Sequence, residues 1–293
     1  LSVKPSSDPL KDNPVAAVDN SCVGCGHCGE VADAAVLCPS FYRADVVSNP
    51  TAFEARLDRI WRRVIGPLRL AGHDVHAVTL TGDGERAHLA SPSIDLETHI
   101  ADVVGLIDAE ELRDIVLVGH SYGGMVITGA ADRLASRGAR GADTEHDNTS
   151  PSPAATVLRH LVYVDAMVPL PGEGWGAGHP PEIVQARLAA ARAHGNALPP
   201  PDPIDFGLND DDRAWLLRRQ VPHPFGMYRV PLHFDGARWA TLPRCFVDCT
   251  QPAYPTIDAM RARVRSQPGW QIVAIATGHC PMVSAPRQLL AVL

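Results

Sequence analysis

The chain has 293 residues, of which 45% are hydrophobic and 20% are charged, and its formal net charge is −7. This length and composition are ordinary for a soluble globular protein with a substantial core, whereas the negative charge argues against nucleic acid or an anionic membrane surface as a partner. The apolar runs are strand-length, far short of a membrane span. No basic-then-apolar signal segment opens the sequence, so we expect a cytoplasmic location.

The first sixty residues are distinguished by their cysteines. Residues 1–20 are rich in Pro, Ser, Asp and Asn, which predicts a disordered lead. Residues 21–60 form a cysteine-rich segment, because four of the seven cysteines of the chain lie between Cys22 and Cys38. An odd and clustered set of cysteines suits a metal site better than a disulfide framework, and it indicates a reducing compartment.

The spacing of these four cysteines leaves three interpretations open. Cys22, Cys25 and Cys28 form a C-x₂-C-x₂-C pattern, and with the later Cys38 they could converge on a [4Fe–4S] cluster because the intervening loops are short. Four thiolates would also satisfy a tetrahedral zinc site, and a segment without metal is the third interpretation. The pattern resembles the ferredoxin-like cysteine segment of indolepyruvate-type oxoacid:ferredoxin oxidoreductases, and that resemblance implies an iron–sulfur cluster.

From residue 50 onward, helical and strand patterns alternate. Apolar residues that recur every three or four positions predict helices, and short apolar or alternating runs predict strands. The predicted helices cover residues 50–70, 94–109, 125–136 and 256–266, and the predicted strands cover residues 74–80, 114–118, 159–164, 244–247 and 271–276. This alternation predicts an α/β fold with a doubly wound, mostly parallel sheet.

Two stretches interrupt the alternation. Residues 138–155 contain Gly, Ser, Pro, Thr and acidic residues without an apolar period, which predicts a disordered surface insertion. Residues 169–235 contain many prolines and two short helical patterns, at 181–194 and 210–220. We expect this second stretch to form a cap over a functional site.

The segment Gly119–Gly123, Gly-His-Ser-Tyr-Gly, fits the G-x-S-x-G pattern of a nucleophile elbow. It follows an apolar strand and precedes a helix of small residues, and in that context the serine is pushed out of the sheet on a tight turn. Glycines two residues to either side remove side chains that would collide. Ser121 is therefore the candidate nucleophile, and the backbone N–H of Tyr122 is a candidate oxyanion donor at the head of the helix.

A serine hydroxyl needs a base, and the base needs an acid to orient it. Downstream of such an elbow, the base is expected on a loop after the last strand, and His279 stands there. The acid should follow a strand between these two residues. Asp165, after the strand at 159–164, is the first choice; Asp248, at the end of the strand at 244–247, is the second, and Asp258 follows in the next loop or helix.

Six stretches of the chain resemble one known family. They are Trp61–Val64, Ala71–His73, Thr79–His88, Gly119–Gly124, Leu161–Pro169 and Thr277–Pro286. The family is a bacterial branch of the α/β-hydrolases related to plant hydroxynitrile lyases and methyl-ester esterases. The resemblance implies a cofactor-free serine hydrolase over residues 61–293 that acts on small esters, with Ser121 and His279 in the family's nucleophile and base positions.

The sequence departs from that family at two places. The plant members carry their acid a few residues after a Cys-Thr pair, but alignment of Cys249-Thr250 puts Pro252 there, which favours Asp165. The family also opens with a strand that ends in His-Gly, whose backbone helps to form the oxyanion hole. This chain has neither residue at the corresponding Ala52-Phe53, so we expect the first strands and one oxyanion donor to be missing.

The function favoured by these features is that of a serine esterase. A C–C lyase on the same scaffold is the first alternative, but its relatives favour a cationic residue near the leaving group, and Lys4 and Lys11 are the only lysines of this chain. The second alternative is an iron–sulfur electron-transfer fragment joined near Trp61 to an inactive hydrolase. The expected partner is a small-molecule ester, with no nucleic acid or membrane involved.

Overall fold

The computed structural model describes residues 2–4, 15–17, 59–142 and 158–293. The chain divides into two units, residues 1–57 and residues 58–293. In the first unit, strands β1 (Ser2–Lys4) and β2 (Val15–Ala17) pair in antiparallel fashion. The rest of the predicted disordered lead lies outside the described residues, as does the cysteine-rich segment up to residue 58, so both expectations stay predictions.

The second unit is organised around a parallel sheet. Its strands are β3 (Ile115–His120), β4 (Leu158–Val164), β5 (Ala197–Leu198), β6 (His223–Pro224), β7 (Arg244–Cys249) and β8 (Trp270–Ile275). Four of them form the main sheet in the order β3-β4-β7-β8, and every neighbouring pair is parallel. These four are the strands predicted from residue 114 onward, with ends shifted by at most two residues. The two short strands β5 and β6 pair separately within the predicted cap.

Helices connect and cover the strands. They are α1 (Arg59–Leu70), α2 (Leu96–Ala109), α3 (Gly123–Ala142), α4 (Pro181–Ala193), α5 (Asp210–Leu217), α6 (Gly236–Ala240), α7 (Asp258–Ser266), α8 (Pro281–Ser284) and α9 (Pro286–Leu290). The alternation of these helices with parallel strands confirms the predicted α/β class.

A large apolar cluster of the described residues includes the contact between α2 and α3, where α3 packs against β3. Ile100 and Val104 of α2 and Met125 and Val126 of α3 are buried there. α2 begins with a capping box in which Asp95 and Thr98 bond each other's backbone N–H, which satisfies donors that the first turn leaves free. This packing holds the start of α3, and with it the turn that carries Ser121.

Two element predictions were wrong. Residues 74–80, predicted as a strand, are irregular; no strand of the described residues pairs with them, and without a partner the alternating pattern cannot form a ladder. Residues 138–142, predicted to belong to a disordered insertion, instead form the end of α3, which continues to Ala142. A helix that has already formed gains one hydrogen bond for each added residue, so it extends into a glycine-containing sequence. Residues 143–157 lie outside the described part of the chain.

Candidate active site

Ser121 lies on a tight turn between β3 and α3. Its φ of 53° is in the left-handed region, which is unusual for a residue with a side chain. The crossing is so close that a Cβ on Gly119 would lie 2.6 Å from the Gly123 carbonyl oxygen, and a Cβ on Gly124 would lie 2.0 Å from that of Met167. The steric requirement predicted from the motif is therefore confirmed at Gly119 and was wrong at Gly123, where a Cβ would have no atom within 4 Å; the second tight position is Gly124, just after the motif.

His279 lies on the loop between β8 and α8, and its ring reaches both other predicted residues. Its Nε2 is 3.1 Å from Ser121 Oγ, and its Nδ1 is 2.7 Å from Asp165 Oδ2. The arrangement assigns the proton to Nδ1, which donates to the carboxylate, and leaves Nε2 to accept from the serine hydroxyl. A continuous chain of hydrogen bonds thus joins residues that are far apart in sequence.

Asp165 follows β4 directly and is completely buried. Its φ of 42° is also left-handed, so the backbone reverses at this point as it does at Ser121. The carboxylate of the second-choice acid, Asp248, has other partners. It accepts hydrogen bonds from Arg261 and Arg265, and the structure does not bring it to His279. Of the three aspartates considered from sequence, Asp165 is the one that contacts the histidine.

Burial sets the protonation states of this chain of residues. It lowers the pKa of His279 to about 3, and the nearby positive charge of Arg261 acts in the same direction. Burial raises the pKa of Asp165 to about 6, while the guanidinium of Arg261 opposes that rise. At neutral pH the pair therefore consists of a neutral imidazole and a carboxylate, which is the state in which the imidazole can accept a proton.

Tyr122 follows Ser121 at the head of α3. Within the described part of the chain no acceptor is bonded to its backbone N–H, as a free oxyanion donor requires. Its side chain is held: the hydroxyl is 3.2 Å from Nδ1 of His99, and Nε2 of His99 is 2.9 Å from the Thr81 carbonyl oxygen. Burial lowers the pKa of His99, so a neutral ring donates to Thr81 and accepts from Tyr122.

Three residues around His279 were not foreseen from the sequence. His120 donates from Nε2 to the His279 carbonyl oxygen at 2.7 Å, and the rings of Tyr254 and Phe206 lie 4.3 and 5.1 Å from the imidazole. Together they exclude water from the histidine, which is 2% exposed. His120 stands inside the elbow motif and could have been suspected on that ground, but no pattern marks Tyr254 or Phe206.

An apolar cavity of about 300 Å³ lies in the cap. It is lined by Trp175, Gly176, Val184, Leu188, Phe225, Tyr228 and Arg229. The ring of Tyr228 also packs edge-on against that of Tyr122, with centroids 5.9 Å apart, so the cavity is one side chain away from the elbow. A larger cavity of about 640 Å³, beside residues 75–79 and α2, is lined by none of the candidate site residues.

The predicted metal ligands lie elsewhere in the chain. Cys22, Cys25, Cys28 and Cys38 are outside the described residues, so their role as ligands stays a prediction. In the ranges that the structure describes, no group of three or more His, Cys, Asp or Glu side chains is arranged to hold a metal ion. The other three cysteines, Cys245, Cys249 and Cys280, are buried and unpaired.

Comparison with known proteins supports the architecture. Residues 24–292 match the alpha/beta hydrolase family. The chain is 38% identical over 240 residues to the carbendazim hydrolyzing esterase of Nocardioides sp. (strain SG-4G), which covers 78% of this chain and 90% of the relative. It is 26% identical over 264 residues to Methylesterase 3 of Arabidopsis thaliana, covering 80% of this chain and 89% of that protein.

A solved structure shows the same fold. An extracellular alpha/beta-hydrolase from a Paenibacillus species superposes with a TM-score of 0.63 at 18% identity, covering 79% of this chain and 90% of that one. The family match begins upstream of Trp61 and includes Cys25, Cys28 and Cys38. The comparisons give no support to the proposed likeness of that segment to oxidoreductases. Among the helices of the described residues, none has the length and apolar character needed to cross a membrane.

Proposed function

The chain belongs to the alpha/beta hydrolase family, and we propose that it is a serine esterase in which Ser121 is the nucleophile, His279 the base and Asp165 the acid. The observation that carries this proposal is the hydrogen-bond chain from Ser121 Oγ through both ring nitrogens of His279 to Asp165 Oδ2. The position of the serine on a strained turn at the head of a helix supports the same roles.

The first half of the reaction forms an acyl-enzyme. Ser121 Oγ attacks the ester carbonyl carbon while Nε2 of His279 takes the hydroxyl proton, and Asp165 stabilises the imidazolium that results. The oxyanion of the tetrahedral intermediate accepts a hydrogen bond from the Tyr122 N–H. When the intermediate collapses, the carbon–oxygen bond of the ester breaks and the proton passes from Nε2 to the departing alcohol.

The second half regenerates the serine. A water molecule gives a proton to Nε2 of His279 and attacks the acyl carbon, and Ser121 leaves with that proton as the acid product is released. Sites of this type use two oxyanion donors, and removing one costs on the order of a hundredfold in turnover or more. The sequence predicts loss of the second donor near Ala52-Phe53, outside the described part of the chain, and we therefore expect a slow enzyme.

The proposed substrates are small carboxylic esters with an apolar acyl group. Two relatives are esterases by name, one of them a methylesterase, and the cavity beside Tyr122 has mostly aromatic and aliphatic walls. Methyl esters of small apolar acids are the first compounds to assay. No contact among the described residues favours the lyase alternative.

A fluorophosphonate probe tests the proposal because it phosphonylates a serine, with loss of fluoride, only when that serine is activated as a nucleophile. We expect the full chain to be labelled at Ser121 and to hydrolyse p-nitrophenyl butyrate, and we expect Ser121→Ala to lose both properties while keeping its circular dichroism spectrum. A folded wild-type chain that is neither labelled nor active would overturn the proposal.

A further inference from the structure

A buried arginine lies directly behind the proposed acid. All five N–H groups of the Arg261 guanidinium have acceptors: Oδ1 of Asp165 at 2.6 Å, Asp248 at 2.8 Å and Asp258 at 2.7 Å, and the carbonyl oxygens of Cys249 at 3.1 Å and Tyr254 at 2.8 Å. Asp165 and Asp248 are themselves buried. This group of Arg261 and its three carboxylate partners is called the arginine hub below.

The cost of burying these charges indicates that the hub has a task beyond packing. Ions withdrawn from water are tolerated only when they are paired and fully hydrogen-bonded, and an apolar cluster of similar volume is often as stable. The hub meets the geometric condition, since every guanidinium donor is used. Its contact with Asp165 joins it to the proposed catalytic residues.

We propose that Arg261 is a positioning residue of the active site, which holds the buried Asp165 as an anion with Oδ2 turned toward His279. The geometry supports this assignment because the two carboxylate oxygens have separate partners: Oδ1 accepts from Arg261 and Oδ2 from His279. Rotation of the carboxylate would break both bonds. The inference rests on the proposed function, since it concerns the same acid.

Several charged or titratable groups surround the pair of Asp165 and His279. They are Arg261 and Arg265 from α7, Asp258 at its start, Asp248 and Cys249 from β7, His120 from β3, Tyr254 from the loop before α7, and Cys280 beside His279. Asp248 raises the pKa of Asp165, whereas Arg261 lowers the pKa of both Asp165 and His279. Removing the positive charge of Arg261 should therefore raise both pKa values.

The pH dependence of labelling at Ser121 measures this effect without any substrate. In the wild-type chain we expect the rate of fluorophosphonate labelling to fall only below about pH 6, where Asp165 becomes protonated, because burial lowers the pKa of His279 to about 3 and raises that of Asp165 to about 6. This fall in labelling rate at low pH is called the acid limb below. In Arg261→Met we expect the acid limb to move to higher pH by about one to three pH units, the size of shift that an adjacent opposite charge produces in a carboxyl pKa. Arg261→Lys keeps the charge, so its limb should lie closer to that of the wild type.

A matched control lies on the same helix. Arg263 is also partly buried and forms an ion pair with Glu173, but it bonds the Val168 carbonyl rather than the hub. Arg263→Met should lose similar stability and leave the acid limb where it is in the wild type. An Arg261→Met chain that is folded and has an unmoved limb would overturn the inference.

Asp248→Asn gives a second test with the opposite sign, and it serves if Arg261→Met does not fold. The loss of this negative charge should move the acid limb to lower pH, and a limb that stays or rises would contradict the role of the hub. The experiments distinguish failure of the proposed esterase function from failure of the proposed role of Arg261. A wild-type chain that is not labelled removes the proposed function, whereas a labelled wild type with a limb insensitive to both substitutions removes only the role of Arg261.

Discussion

The carboxylate of Asp165 has no contact with solvent, and each of its two oxygens has its own partner. One accepts a hydrogen bond from the charged Arg261, and the other accepts one from His279, which becomes positively charged when it takes up a proton. A buried carboxylate of this kind costs free energy unless both oxygens are satisfied. The same bonds fix the direction in which it can stabilise a positive charge on the imidazole. The side chain is therefore better suited to the role of acid than Asp248, which is occupied by two arginines.

Replacing Asp165 by Asn tests this assignment. The amide would favour the wrong tautomer of His279, and in a serine protease the corresponding change lowers kcat by about 10⁴; we expect a loss of similar order here. The measurement is steady-state hydrolysis of p-nitrophenyl butyrate at pH 8.

Asp258→Asn is the control for this prediction. Asp258 also bonds Arg261, but its side chain is 65% exposed, so its loss should change the rate less than about tenfold because solvent screens such a pair. A folded Asp165→Asn chain with nearly wild-type turnover would rule out Asp165 as the acid.

At the scale of elements, the site is built by two strands that end in the same way. β3 is followed by Ser121 and β4 by Asp165, and both residues have left-handed φ values. Such a reversal turns each side chain out of its strand, at the carboxyl edge of the sheet. The two ends are also tied together, because the Ser121 N–H donates to the Val164 carbonyl and the Met167 N–H to that of Ser121.

The close contacts at the turn between β3 and α3 predict which of its glycines can be replaced by alanine. Gly124→Ala and Gly119→Ala place a Cβ within 2.6 Å or less of a carbonyl oxygen, and we expect each to lower the free energy of unfolding by about 1–3 kcal/mol, the usual cost of overpacking. Gly123→Ala is the matched control, since its Cβ would have no atom within 4 Å.

Urea unfolding monitored by circular dichroism compares the three variants. In a helix, alanine is favoured over glycine by about 1 kcal/mol, so Gly123→Ala should be neutral or slightly stabilising. Equal losses in all three variants would contradict the steric explanation and would point to a general need for glycine flexibility in this turn.

At the scale of the whole molecule, a parallel sheet carries the three proposed catalytic residues and a separate cap covers them. Because all four main strands run in the same direction, the ends of β3, β4 and β8 meet at one edge of the sheet. The cap adds the apolar cavity beside Tyr122. Under the proposed function, we therefore expect the chemistry to depend on the sheet and the substrate preference to depend on the cap.

This division predicts that acyl-chain preference can be changed without loss of the basic activity. Leu188→Trp would fill part of the cavity, and we expect the ratio of kcat/KM for p-nitrophenyl octanoate to that for p-nitrophenyl acetate to fall by about 10- to 200-fold, the range that a few kcal/mol of apolar contact provides. Ile183→Trp is the control, on the same helix but exposed and outside the cavity lining. An unchanged ratio in Leu188→Trp would mean that the cavity does not hold the acyl group.

The sequence by itself determined the strand–turn–helix around Ser121, the loop position of His279 and the four main strands, because each depends on local spacing and composition. The failed strand at residues 74–80 shows the limit of that reasoning, since a strand also needs a neighbour.

Only the tertiary structure shows that Asp165, and not Asp248, contacts His279, and only it places His120 and Tyr254 beside the histidine and Arg261 beside Asp165. Most of these contacts join side chains more than ninety residues apart, as for Arg261 and Asp165, and they also depend on burial, which sets the charge that each group carries. Neither quantity is contained in a local pattern of residues.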